Sequence, residues 1–252
     1  MATLYSFQTR DKLKIALYQY IKKTYDESIM KHNKFYIAIS GGSLPKILGE
    51  NITNLIDINW EKWEIFFADE RVVPLSHQDS NYKLCYDEIF VKLPIPKENI
   101  HCIDTSLLSN PQKLSEAYES TLIKNFHIKN TNKLPEFDLL LLGCGQDGHT
   151  CSLFPNHKSL QENTPWVLPI IDSPKLPSTR ITLSLPVITN ARKIAFVVLG
   201  TEKQEIMKEI WNNTKELPCS LINMKAGPKV SWFSDVITTK LVDKKLIKQF
   251  KL

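Results

Sequence analysis

The sequence predicts an α/β fold: a modified doubly wound, Rossmann-like sheet, mostly parallel, with helices on both faces and a single domain spanning residues 1–252. Three observations carry this. Compact apolar runs of strand length recur at 35–40, 63–68, 137–142 and 193–199. Between them lie stretches whose apolar residues fall at helical intervals. At 252 residues, 42% hydrophobic and 23% charged, the chain has the composition of an ordinary globular protein and the length for one substantial core.

The elements follow in order. Leu13, Ile15, Ala16, Leu17, Tyr20 and Ile21 repeat at helical spacing, which predicts a helix over 12–29 before the strand at 35–40. Gly41-Gly42-Ser43-Leu44 follows that strand directly, and Pro45 suits the first turn of a new helix running to about Leu55. The strand at 63–68 ends abruptly in Asp69-Glu70-Arg71 and a turn around Pro74. Residues 79–91 read as helix, 99–103 as extended chain, and 111–126 as a helix with Leu114, Ala117, Tyr118, Leu122 and Ile123 on its apolar stripe. From Pro155 to Pro186 the chain contains six prolines, which argues against a long helix and for extended segments at 166–171 and 180–185 in a functional loop or insertion. Strand at 193–199, helix at 202–211 and a short strand at 229–233 complete the alternation. Leu241, Leu246, Ile247 and Phe250 sit near helical spacing in the basic run 240–251, which predicts a docked terminal helix with a solvated face.

Composition narrows the functional classes. The formal charge is +5, yet lysines and arginines are spread along the chain with no aromatic-basic binding motif, so an anionic small molecule is expected and nucleic acid is not. No apolar run approaches the roughly 20 residues that span a bilayer, and the opening residues lack the apolar stretch of a secretory signal, so neither membrane association nor export is expected. Cys85, Cys102, Cys144, Cys151 and Cys219 form an odd set without CxxC spacing, which fits reduced thiols in the cytoplasm. In that compartment the sequons at Asn51 and Asn212 mean nothing. No obligate protein partner is indicated.

The chemistry is expected beyond the carboxyl ends of the strands, where ligands of open parallel sheets sit. Three strands end in polar or glycine-rich turns: 40–43, 69–71 and 143–149. The first offers backbone N–H groups and a hydroxyl at a helix N-terminus, which suits a phosphate; a plain strand-to-helix turn fits the spacing as well. Gly143-x-Gly145-x-x-Gly148 formally matches the dinucleotide fingerprint, but that fingerprint needs a continuing helix and Pro155 follows closely. Asp147, two residues before His149, can orient the imidazole as a general base, although an ordinary hydrogen-bonded loop histidine has the same spacing. Nothing marks Cys144 or Cys151 as activated, and no Gly-x-Ser-x-Gly elbow is present, so water is the better nucleophile. His77, His149 and His157 stand in no metal-binding spacing. Arg180 and Lys203 are cations that either clamp a phosphate or are solvated.

Taken together, Ile39-Ser-Gly-Gly-Ser43, Phe67-Ala-Asp-Glu-Arg-Val-Val-Pro74 and Leu142-Gly-Cys-Gly-Gln-Asp-Gly-His-Thr-Cys-Ser-Leu-Phe-Pro155 resemble the three signature blocks of the 6-phosphogluconolactonases. Asp172-Ser-Pro-Lys-Leu-Pro177 and Arg180-Ile-Thr-Leu-Ser-Leu-Pro186 are similar to that family too. The resemblance spans nearly the whole chain. It implies a fold shared with glucosamine-6-phosphate deaminase and hydrolysis of 6-phosphogluconolactone to 6-phosphogluconate, in the oxidative pentose phosphate pathway, without cofactor or metal. It further implies that Gly42, Ser43, Arg180 and Lys203 hold the phosphate, that Arg71 lies near the sugar or phosphate, and that Asp147 and His149 form the catalytic pair. Cys151 stands where the family usually has a smaller residue, and Ser-Thr precedes Arg180; neither change removes a chemical group. Deaminase-type activity is the alternative within the fold, and a non-catalytic sugar-phosphate sensor the alternative outside enzymes.

Overall fold

The computed structural model describes residues 1–50, 52–54, 57–129, 133–212 and 216–251. Its elements are strand β1 (Thr3–Phe7), helix α1 (Arg10–His32), β2 (Phe35–Ile39), α2 (Leu44–Gly49), β3 (Trp63–Phe67), β4 (Asp69–Arg71), α3 (Asn81–Glu88), α4 (Pro111–Asn125), β5 (Leu139–Leu142), β6 (Val167–Ile170), β7 (Arg180–Leu183), α5 (Leu185–Asn190), β8 (Ile194–Val198), α6 (Gln204–Asn212), α7 (Pro218–Ala226), β9 (Val230–Asp235) and β10 (Ile247–Lys248).

Seven strands form one sheet in the order β10-β1-β9-β8-β5-β2-β3, every pair parallel. The predicted doubly wound sheet is therefore present, and its apolar runs are explained by burial on both sides. Neighbouring residues of one strand point to opposite faces: Leu140 and Leu142 of β5 join one hydrophobic cluster, Leu139 and Leu141 the other. Helices α1, α2 and α3 cover the second face through Leu13, Leu17, Ile47, Leu48 and Cys85. Helices α4 to α7 cover the first through Leu114, Tyr118, Val187, Met207 and Ile222. Helix α1 forms where expected because Thr9 caps it, its hydroxyl accepting from Lys12 N at 3.2 Å, and Asn33 closes it in the left-handed region.

Four expectations need correction. The basic run 240–251 is not a helix. Asp243 caps a short 3-10 turn there, accepting from Lys245 N at 2.9 Å, and β10 then adds a parallel edge beside β1 while Phe250 packs on Tyr5 and Phe233. Pairing with a distant strand outweighs a weak local helical pattern. Helix α2 stops at Gly49, short of Leu55, which lies outside the described residues; a side chain at Gly49 would collide with the carbonyl of Glu88, so the chain turns away where α3 packs closest. Asp69-Glu70-Arg71 is a strand rather than a turn, the edge of a second, antiparallel sheet in the order β4-β7-β6. That sheet is built from the extended segments expected in the proline-rich stretch, and it packs into the first cluster through Val167, Leu168, Ile181 and Leu183. Finally, the extended segment at 180–185 ends at Leu183, and α5 begins two residues later with Pro186 in its first turn.

The strand order places the site. After β2 the chain moves outward to β3, then returns to lay β5 on the other side of β2 and continues to β8 and β9. The order reverses between β2 and β5, and the loops after these two strands diverge to leave a crevice.

Candidate active site

A cavity of about 410 Å³ opens at that crevice. It is lined by the loops following β2, β5 and β8, with β4 and β7 forming one wall. All five residues expected to bind substrate, Gly42, Ser43, Arg71, Arg180 and Lys203, line it together with His149. Lys175 and Asp69 line it too, and the sequence assigns neither a role of its own. Lys175 lies inside the run 172–177, but nothing local says which side chain of that run turns inward.

The loop after β2 approaches closely because it lacks side chains. At Gly41 a Cβ would strike the Asn81 carboxamide, and Gly42 has φ +73, a conformation L-residues rarely adopt. Ser43 caps α2 by position, yet its hydroxyl makes no capping bond and the residue is exposed to the cavity. Backbone and hydroxyl donors are thus presented together.

Strand β4 sorts its three charges by alternation. Asp69 and Arg71 face the cavity, and Glu70 faces away. Asp69 is buried and held by Ser40 Oγ at 3.0 Å, Ser152 Oγ at 2.8 Å and Asn81 Nδ2. Its oxygens are occupied by donors, so it braces three loops. Glu70 accepts from the backbone N–H groups of Arg71, Asn81 and Tyr82 at 2.7–2.8 Å and from the Ser80 hydroxyl, which ties the wall to the start of α3. Burial pushes its carboxyl up to about 7, with Asp69 adding to the rise against the three backbone N–H bonds. Arg71 donates through one terminal nitrogen to the Asp79 carbonyl at 2.7 Å, while its Nε is buried with no partner among the described residues. A buried unpaired donor on a cavity wall is the kind of group a ligand satisfies.

The loop after β5 makes a tight turn. Gly148 N–H donates to the Gly145 carbonyl at 3.0 Å, and Gly145 N–H to the His149 carbonyl at 2.8 Å. Gly148 has φ +81 and packs on Leu217. Residues 143–157 continue as loop with no α-helix, so the geometry of a dinucleotide fingerprint is not built here. The turn folds Asp147 back onto His149, whose Nδ1 contacts Asp147 Oδ1 at short range. The imidazole also lies against the Phe154 ring, centroids 4.8 Å apart. Burial alone would raise the Asp147 carboxyl, but His149 and Lys175 outweigh it and hold it well below the ordinary carboxylate range. An ionised Asp147 only accepts, so Nδ1 carries the shared proton, and in the neutral imidazole Nε2 keeps its lone pair. That is the tautomer a general base needs.

Cys144 and Cys151 flank this pair and are buried. Burial, reinforced by Asp69, pushes the Cys151 thiol far up, so it is not a thiolate nucleophile.

Charge decides what the cavity attracts. Arg71, Arg180 and Lys203 have no carboxylate ion-pair partner among the described residues, and Lys175 adds a fourth cation. Against them stand Asp147, paired with Lys175, and the hydrogen-bonded Asp69. The excess is positive. Arg180 is 3% exposed, its guanidinium over the Phe154 ring, and burial together with Arg71 lowers its pKa while leaving a cation. Four of its five N–H groups are already used, by the carbonyls of Lys175, Leu176 and Pro177 and by the Ser152 hydroxyl.

Comparison with known proteins identifies the family. Residues 8–232 match the family model described as glucosamine-6-phosphate isomerases/6-phosphogluconolactonase. The chain is 44% identical over 254 residues to a probable 6-phosphogluconolactonase of Schizosaccharomyces pombe, covering 98% of this chain and 99% of the relative. It is 38% identical to a chloroplastic 6-phosphogluconolactonase of Arabidopsis thaliana, over 91% of this chain and 72% of that one. The solved structure of 6-phosphogluconolactonase from Trypanosoma brucei superposes with a TM-score of 0.82 at 27% identity, covering 96% of this chain and 99% of the other. The chain belongs to the glucosamine-6-phosphate isomerase/6-phosphogluconolactonase family.

Proposed function

We propose that this protein hydrolyses 6-phospho-D-glucono-1,5-lactone to 6-phosphogluconate, the second step of the oxidative pentose phosphate pathway. The observation that carries the reading is the Asp147–His149 contact at the rim of a cation-rich cavity, in a chain whose relatives are named as lactonases. The phosphate docks against the 40–43 turn, with Gly42 and Ser43 donating and Lys203, Arg71 and the remaining N–H of Arg180 supplying charge. Binding energy gathered there fixes the distant lactone carbonyl beside His149. Nε2 of His149 removes a proton from water, whose oxygen bonds to the carbonyl carbon. The resulting oxyanion takes hydrogen bonds from backbone N–H groups or Arg71. As the intermediate collapses, the bond to the ring oxygen breaks and protonated His149 returns its proton to it. Asp147 holds the imidazole throughout.

Isomerase chemistry is less well supported. It needs a carboxylate free to abstract a carbon-bound proton, and both oxygens of Asp69 are engaged by hydroxyl and amide donors. Residues 1–252 are proposed to act as one catalytic domain in the cytoplasm on a small phosphosugar lactone, with no cofactor, nucleic acid, membrane or obligate protein partner. No helix among the described residues is long and apolar enough to cross a membrane. The test is hydrolysis of freshly generated lactone, corrected for spontaneous opening, by wild type and His149→Ala, with glucosamine 6-phosphate in a parallel arm. Wild-type turnover lost in His149→Ala supports the proposal. Turnover of the amino sugar alone, or binding of 6-phosphogluconate without lactone turnover, overturns it.

A further inference from the structure

The loop between β6 and β7 carries Lys175, whose Nζ lies 3.2 Å from Asp147 Oδ1 and 3.2 Å from His149 Nδ1. An exposed lysine ordinarily wanders, because holding its four-carbon stem costs entropy and the surrounding water offers equal partners. Here the backbone beneath it is held from two sides. Ser173 Oγ donates to the Lys175 carbonyl at 2.9 Å and accepts from Lys175 N at 3.2 Å. Arg180, from the buried start of β7, spends three N–H groups on the consecutive carbonyls of Lys175, Leu176 and Pro177 at 2.9–3.2 Å. A guanidinium that forks onto three successive carbonyls is a clamp on that loop, and at most one of its N–H groups is left for a ligand.

We infer that Arg180 acts on the reaction chiefly through Lys175: it clamps the 173–178 loop so that the Lys175 ammonium shares the Asp147 carboxylate with His149 and sets the charge balance around the imidazole. Both are positioning residues, and the inference rests on the hydrolytic reading above. The physical reason is charge balance. An Asp147 carboxylate paired with His149 alone favours the imidazolium, which cannot take a proton from water. A cation against both groups opposes that charge directly. Other groups facing the imidazole do not substitute for it. From its own loop comes Asp147; the Cys144 thiol donates to the Gly145 carbonyl, and that of Cys219, from α7, to the His149 carbonyl. Asp69, Arg71, Arg180 and Lys203 stand on the other cavity walls without a bond to the ring. Lys175 is the cation in direct contact with the pair.

The test is the pH profile of kcat/KM for lactone hydrolysis by the full chain, together with KM at the optimum, in wild type, Lys175→Met, Ser173→Ala, Arg180→Lys and the Lys175→Met/Arg180→Lys double variant. Lys175 is exposed, so Lys175→Met leaves the core intact. Its acid limb should move up by about one pH unit, the size expected for removing one partly solvated charge at this distance, with KM within about threefold of wild type. Ser173→Ala should move the limb in the same direction by less. Arg180→Lys keeps the charge but loses the fork; it should reproduce the Lys175→Met shift, and the double variant should add nothing further. An unshifted limb in both Lys175→Met and Ser173→Ala overturns the inference, whatever becomes of Arg180→Lys. So does a KM rise of tenfold or more in Arg180→Lys without a limb shift, which is the signature of a direct phosphate ligand. Loss of turnover in His149→Ala alongside unshifted limbs refutes this inference alone. Retention of turnover in His149→Ala removes the base and this inference with it.

Discussion

Replacing Asp147 with asparagine separates the orienting carboxylate from everything else in the site. The side chain keeps its size, and the turn that carries it is held by backbone bonds between Gly145, Gly148 and His149, so the loop should persist. What changes is the proton on His149. The carboxylate accepts from Nδ1; an amide turned to donate would place the proton on Nε2, where the lone pair is needed. A charge-assisted hydrogen bond of this kind is worth about 1.5–3 kcal/mol. At 1.4 kcal/mol per decade that is a loss of roughly ten- to a hundredfold, and the wrong tautomer raises it toward ~10⁴. The loss should fall on kcat, because the proposed phosphate contacts lie elsewhere in the cavity. Initial rates of acid release from fresh lactone, corrected for spontaneous opening, measure it. Asp147 also contributes to stability. Its folded pKa lies below the unfolded value, so that contribution is present above about pH 4 and disappears as pH falls through the depressed folded value. Thermal melts of both proteins near pH 7 therefore check that the activity loss is not unfolding. Turnover within about threefold of wild type in a folded Asp147→Asn protein would refute the orienting role.

Three further outcomes are expected. Gly145→Ala should reduce kcat by at least about tenfold with KM little changed, because its Cβ would come within 2.5 Å of Asp147 Oδ1 and also strike the His149 ring, and either the pair or the turn must give; steady-state kinetics and a melt distinguish the two. Lys203→Ala and Arg71→Ala should each raise KM by roughly ten- to a hundredfold, as expected for losing a charge-assisted contact to phosphate, and unchanged KM in both would move the phosphate elsewhere. Glu70, with its carboxyl pushed up to about 7, binds its proton more readily folded than unfolded, so its contribution to stability is full below about pH 4.5 and is lost as pH rises through about 7. The advantage in Tm of wild type over Glu70→Gln should accordingly shrink between pH 4.5 and 7.5, and a constant difference would refute the shift.

Much of the fold was legible because it is local. The strands β2, β3, β5 and β8 announce themselves as short apolar runs, and parallel strands covered on both faces tolerate little else. The glycine turns were legible for a related reason: Gly42 and Gly148 occupy positive φ, and a site reached through such turns keeps glycine there. The edges were harder. Nothing within residues 240–251 distinguishes a solvated helix from a strand whose partner is Leu4 or Tyr5 at the other end of the chain. The proline-rich stretch was correctly read as extended, but not as an antiparallel sheet, because β4 reaches its partner β7 across more than a hundred residues.

The site divides along the same line. By itself the sequence determined its chemical inventory: a glycine-serine turn, an arginine after a strand, an Asp-x-His pair on a glycine loop, and two further cations at 180 and 203. It determined the family as well, since those blocks occur in order along nearly the whole chain. Only the tertiary structure decided what the groups do to one another. Lys175 meets His149 across 26 positions of sequence, and Arg180 faces inward and spends most of its N–H groups on its own loop's carbonyls. Residue type and turn chemistry are fixed over a few neighbouring positions, whereas a side chain's partners are chosen when distant loops are brought to one end of the sheet.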